Sequence, residues 1–233
     1  MPIMRSLVLA LLLVAGSRAH AEPRRVHSGA TRASILELYT SEGCSSCPPA
    51  DELANRLPAR NPGRLYTLAF HVDYWDEIGW PDPFASRRWT ERQRARSPRL
   101  YTPELLLDGR ELADRDVALP ALPPRAELDL AFDGSRATVS ARGGDRVYLA
   151  LTESGLTVEV KAGENRGRTL RHDHVVRALW GPFASGTPTV QAIAIDSRWK
   201  RSELALTAFV EDRAGEILQA VRLPLAGEQP SQP

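Results

Sequence analysis

Apolar residues come in short blocks separated by turn-forming clusters, which predicts a chain of many brief elements. The stretch "ASILELYT" (33–40) is dense in apolar side chains and reads as a buried strand. It runs into "SEGCSSCPP" (41–49), after which Leu53, Ala54 and Leu57 fall on one side of a short helix. Pro48 and Pro49 fit that helix only in its first turn, where amide hydrogens have no intrahelical partner. "RLYTLAFHVDYW" (64–75) predicts a second strand, and a loop rich in Trp, Asp, Gly and Pro continues to Pro83. "FASRRWTERQRAR" (84–96) consists largely of helix formers and reads as an exposed, arginine-rich helix. "YTPELLLDGREL" (101–112) gives two short strands about Asp108-Gly109, a hairpin turn signal. The order strand–helix–strand–helix–strand–strand predicts an α/β sheet ending in a hairpin.

Three prolines in "LPALPPRA" (119–126) mark a boundary, and beyond it the texture becomes β-like throughout. "ELDLAFDGSRATVSA" predicts a hairpin about Asp133-Gly134. The runs "RVYLALTE", "TVEVKAG", "TVQAIAID", "LALTAFVED" and "EILQAVRLPL" add further strands. Their spacing predicts a small antiparallel sandwich. Residues 22–32 are polar and are expected to form a mobile leader, and 226–233 a polar tail.

The beginning of the chain bears on compartment. Arg5 precedes an apolar run, Leu7 to Val14, and Ala19-His20-Ala21 has the small-x-small pattern of a signal-peptidase site. That run is shorter than the roughly 20 apolar residues a membrane span requires. The expectation is a signal peptide over 1–21, a periplasmic or secreted protein, and no membrane association after cleavage. Loss of Arg5 and Arg18 takes the formal net charge from +1 to −1. With acidic residues interspersed throughout, the composition gives no electrostatic case for nucleic acid.

Cys44 and Cys47 are the two cysteines of the chain, with two residues between them. A disulfide-stapled scaffold needs several bridges at longer spacing, and closing so small a loop stabilises by only about 2 kcal/mol. No second pair exists to complete a four-cysteine zinc site. Redox chemistry, a structural disulfide and metal binding all remain open for a CxxC alone. The strand–CxxC–helix context favours the first, because a helix N-terminus stabilises thiolate. In that geometry an exposed Cys44 attacks a disulfide and Cys47, one helical turn on, resolves the mixed disulfide.

The segments "ELYTSEGCSSCPPAD", "LAFHVDYWDEIGWPDPFAS", "YTPELLLDG" and "GENRGRTLRHDHVVR" together resemble the domain-of-unknown-function 1223 family of exported, thioredoxin-like proteins. The resemblance implies a thioredoxin-like core followed by a strand-rich part, with no established substrate. It also implies that Thr102-Pro103 is the cis-proline position opposite the cysteine pair, where a bound peptide's backbone is held. The short, proline-interrupted 110–123 departs from the fuller helix that usually closes such a domain.

The resulting fold expectation is α/β: a thioredoxin-like domain over 33–119, a linker at 120–124, and a β-rich, sandwich-like domain over 125–225. The functional expectation is an exported thiol–disulfide oxidoreductase acting on a protein partner, without a cofactor. Cys44 and Cys47 are catalytic; Thr102, Pro103, Tyr74 and Trp75 bind substrate; Asp73 transfers protons at Cys47. The alternatives are a binding or assembly module with a structural disulfide, and a copper-binding protein using His71. Copper-delivery relatives, however, keep three residues between their cysteines. Asp51 reads as a helix-start acid, His172 and His174 as structural histidines, and Trp80 to Pro83 as a packed loop or a partner site. Oligomeric state, substrate and the direction of electron flow stay open.

Overall fold

The computed structural model describes residues 23–112, 117 and 119–226. The expected signal peptide and residues 227–233 of the expected tail lie outside them. The described fold is sheet-rich, with fourteen strands and two α-helices among these residues.

In chain order, β1 (Arg24–His27) and β2 (Ser34–Thr40) precede α1 (Pro48–Arg60) and β3 (Leu65–His71). Then come α2 (Arg87–Arg96), β4 (Glu104–Leu107) and β5 (Arg110–Glu111). The second half holds β6 (Glu127–Phe132), β7 (Arg136–Arg142), β8 (Arg146–Glu153), β9 (Leu156–Glu159) and β10 (Thr169–His172). It closes with β11 (Val175–Ala184), β12 (Thr189–Ala192), β13 (Leu204–Glu211) and β14 (Ile217–Pro224).

One eight-stranded sheet runs in the order β14-β13-β8-β11-β3-β2-β4-β5, and so takes strands from both sides of the proline-rich 119–126 segment. The join is a short parallel pairing of β11 with β3 at Val175 and Ala69, extended by the Ala69 amide donating to the His174 carbonyl (2.9 Å). β2 pairs parallel with β3 and antiparallel with β4. Every residue of β2 is buried, as a strand covered on both faces requires. At the β4–β5 turn both Asp108 (φ 50°) and Gly109 (φ 82°) are left-handed, the geometry of a tight two-residue hairpin.

A second sheet, β1-β6-β7-β12, faces β8, β13 and β14 across an apolar layer that includes Leu128, Leu130, Val139, Leu149, Leu206 and Leu223. The two strand sets thus sandwich one core. Residues 24–27 are not a mobile leader: they pair as β1 along β6, and Val26 packs onto that core. One half-buried valine and a ladder of backbone hydrogen bonds hold a segment whose composition is otherwise polar.

Helix α1 covers one side of β2 and β3 with Leu53, Ala54 and Leu57. Helix α2 corrects the expectation of an exposed arginine helix. Trp89, Thr90 and Gln93 are buried, and the side chains of Arg92 and Arg96 are 10% and 11% exposed. Both guanidiniums pair with Glu37 of β2, and Arg96 also pairs with Glu211 of β13 at 2.8 Å. Burial pushes the Glu37 carboxyl up, but Arg92 and Arg96 outweigh it and hold the group below its ordinary range.

Candidate functional site

Strand β2 delivers the chain to a tight turn in which the Gly43 amide donates to Ser41 Oγ (3.1 Å) and the Cys44 amide to the Ser41 carbonyl (3.2 Å). Gly43 suits the close approach here: a Cβ would lie 3.2 Å from Trp75 Cβ, so a larger residue would make Trp75 give by a few tenths of an ångström. Cys44 and Cys47 form a disulfide with their Cα atoms 5.4 Å apart. Cys47 caps α1, its carbonyl accepting from the amides of Ala50 (2.8 Å) and Asp51 (3.0 Å), with the two prolines filling the first turn.

Both cysteines are fully buried, at 0% exposure. The expectation of an exposed Cys44 is therefore corrected. The cover comes from the segment between β9 and β10, about 120 residues downstream. Asn165, itself buried, donates from Nδ2 to the Glu42 carbonyl (2.8 Å) and the Cys44 carbonyl (2.9 Å). Arg168 holds the amide oxygen of Asn165 (2.9 Å), and Glu164 accepts from the Ser45 amide (2.9 Å). Hydrogen bonds from Ser45 draw the Glu164 carboxyl below its usual range. These residues lie in the "GENRGR" run, to which sequence reading assigns no role. Its one usable signal is an asparagine between glycines in a charged turn.

Behind the disulfide lies a buried polar layer. His172 Nε2 meets Glu42 Oε1 at 3.0 Å, and Trp80 Nε1 donates to Glu42 Oε2 at 2.7 Å. His71 Nδ1 meets Asp82 Oδ2 at 2.7 Å, and the Glu42 amide donates to the same oxygen at 2.9 Å. The His71 and His172 rings stack edge to face, 4.9 Å between centroids. His71 Nε2 is buried without a hydrogen-bond partner among the described residues. Burial pushes Asp82 up, yet His71 and the amides of Glu42 and Phe84 outweigh it and hold the group low. Asp51 belongs to the same layer: burial drives its carboxyl up to about 7, with Asp82 and Glu42 adding and His172 opposing. It is more than a helix-start acid.

The sequence-derived residues divide. The Thr102-Pro103 peptide is cis, and Trp75 Nε1 donates to Thr102 Oγ1 (2.7 Å), so Trp75 links that loop to the Gly43 turn. Asp73 turns to α2 instead, whereas Tyr74 lies between α2 and the loop and hydrogen-bonds with both Gln93 and Thr102. Thr90 Oγ1 donates to the Asp73 carboxylate (2.5 Å), and Tyr74 donates to Gln93 (3.3 Å). Burial raises the Tyr74 hydroxyl to about 12. Trp80 and Asp82 anchor a packed loop. His172 and His174 part company, the latter meeting Arg222 at 2.9 Å. Among the described residues no group of three His, Cys, Asp or Glu is placed to hold a metal ion. None of the described helices is long and apolar enough to cross a membrane.

Two solved structures are similar to this chain. A crystallographic structural-genomics target from Agrobacterium tumefaciens is 26% identical with a TM-score of 0.63, over 85% of this chain and 97% of its own. HBP35 of Porphyromonas gingivalis is 13% identical with a TM-score of 0.60, over 88% of this chain and 78% of its own, and shows the fold alone. No curated protein matches significantly. The family described as protein of unknown function DUF1223 matches residues 35–211, a stretch holding the cysteine pair, the Trp75–Thr102 contact and the Asn165 segment. On that match, the chain belongs to the DUF1223 family.

Proposed function

We propose that the protein is an exported, thioredoxin-like thiol–disulfide oxidoreductase that exchanges disulfides with a protein partner through Cys44 and Cys47. The observation that carries this reading is the placement of the pair at the start of α1, bridged by Trp75 to the cis Thr102-Pro103 loop. A helix N-terminus favours thiolate, which is both nucleophile and leaving group in exchange. In the dithiol form the Cys44 thiolate attacks a partner disulfide. The partner's bond breaks, and one partner sulfur leaves as thiolate. Cys47, after losing its proton, attacks Cys44 of the mixed disulfide and releases the second partner sulfur. The partner gains two electrons, and the Cys44–Cys47 bond re-forms.

The covering segment must open for this chemistry, since neither sulfur meets solvent in the closed form. The same burial favours a second reading, in which the disulfide is a structural clip in a binding module. Equilibration in glutathione buffers, followed by alkylation and mass spectrometry, separates the two. The exchange reading expects rapid equilibration within about −270 to −120 mV. A pair that stays oxidised below about −300 mV, or exchanges only on global unfolding, overturns it.

A further inference from the structure

At the opposite end of β2 from the cysteines lies a cavity of about 520 Å³, within the usual size of a small-molecule site. Strand geometry puts it roughly 20 Å from the disulfide. Its apolar lining includes Val26 of β1, Pro62 of the α1–β3 turn, Tyr66 of β3 and Ala220 of β14. The charged groups lining it are Arg64, Arg222 and His27, and no acidic residue contributes to the wall. His27 is already engaged by Asp129 at 2.7 Å.

The two arginines of the wall differ from the ion-paired arginines packed elsewhere in the fold. Arg32, Arg92, Arg96, Arg146 and Arg177 each have a carboxylate partner. Among the described residues, Arg64 and Arg222 have no ion-pair partner. Arg222 Nη1 donates to His174 Nδ1 (2.9 Å). His174 is a neutral acceptor: burial, then the Arg222 charge, lowers it to about 3. Its backbone takes the left-handed conformation at φ 60°, uncommon for a non-glycine residue. The acid acting on Arg222, Asp173, accepts from the Gly155 amide (2.7 Å) and forms no ion pair with the guanidinium. Half-buried guanidiniums that face a cavity without a carboxylate partner are open to a bound anion.

We infer that this cavity binds a small organic anion, a carboxylate with an apolar body, whose head is held by Arg222 and Arg64 while its hydrocarbon part rests on Tyr66, Pro62 and Ala220. The bidentate match of guanidinium to carboxylate sets the head group, and the apolar wall sets the tail. This inference does not depend on the redox reading.

The test is calorimetric titration of the purified protein with octanoate and with octanamide, its uncharged counterpart. The site predicts saturable octanoate binding at least about tenfold tighter than octanamide, the scale of a charge-assisted hydrogen bond. Arg64→Gln and Arg222→Gln should each remove that preference while leaving octanamide affinity unchanged. Arg64, half-buried and without a side-chain partner among the described residues, keeps the test valid if the Arg222 variant misfolds. Equal affinity for the two probes, absence of saturable octanoate binding, or a preference untouched in Arg64→Gln overturns the inference.

Discussion

Replacing Asn165 with alanine deletes the two hydrogen bonds that dock the covering segment on the Glu42 and Cys44 carbonyls. Each such bond contributes a net of about 0.5–1.5 kcal/mol, so the closed form should lose about 1–3 kcal/mol relative to the open one. That shifts the opening equilibrium roughly 5- to 150-fold. Where the segment recloses faster than a reductant attacks, the rate of disulfide reduction rises by the same factor. The assay is the second-order rate of reduction by dithiothreitol at neutral pH, quenched with an alkylating agent and counted by mass. Arg166→Ala is the control, because that side chain is exposed on the same segment and has no hydrogen-bond or ion-pair partner among the described residues; its rate should stay within about twofold of the parent. Thermal unfolding of each variant separates local opening from global loss of stability. A parent-like rate for Asn165→Ala refutes the gating argument. So does a rate that rises only in step with global destabilisation, which would also favour the structural-clip reading.

The other predictions concern buried charge. The raised carboxyl of Asp51 lets the folded state keep a proton that the unfolded chain has lost between about pH 4 and about pH 7. Its contribution to stability therefore falls as pH rises through that window, by at most about 4 kcal/mol. Asp51→Asn should match the parent near the acidic end and exceed it at mildly alkaline pH; urea midpoints across the range check this, and parallel curves refute it. Arg92→Met leaves Glu37 with Arg96 as its one remaining ion-pair partner among the described residues, in a fully buried setting. Urea unfolding should show a loss of about 1.5–3 kcal/mol, the scale of one hydrogen bond between charged groups, and a change under about 0.5 kcal/mol would contradict the buried-pair argument.

What the amino-acid order determined by itself is local. The apolar-rich run of β2, the CxxC at a helix start, the one-sided Leu53, Ala54 and Leu57, and the turns at Asp108-Gly109 and Asp133-Gly134 depend on backbone preferences and side-chain period within about ten residues. Those signals are legible without the fold because they are set by neighbouring residues. What tertiary structure alone decided is the fate of polar groups. The α2 arginines read as solvated because charge normally faces water, and they turn inward here because Glu37 and Glu211 arrive from strands far apart in sequence. The cysteine turn is held by Asn165 docking from about 120 residues away, and β1 is ordered because β6 offers it an edge. Asp51, His71 and His172 become one layer only when helix, strand and returning hairpin meet. A charged or amide side chain can leave water only where a partner waits, and the partner's position is a property of the whole fold.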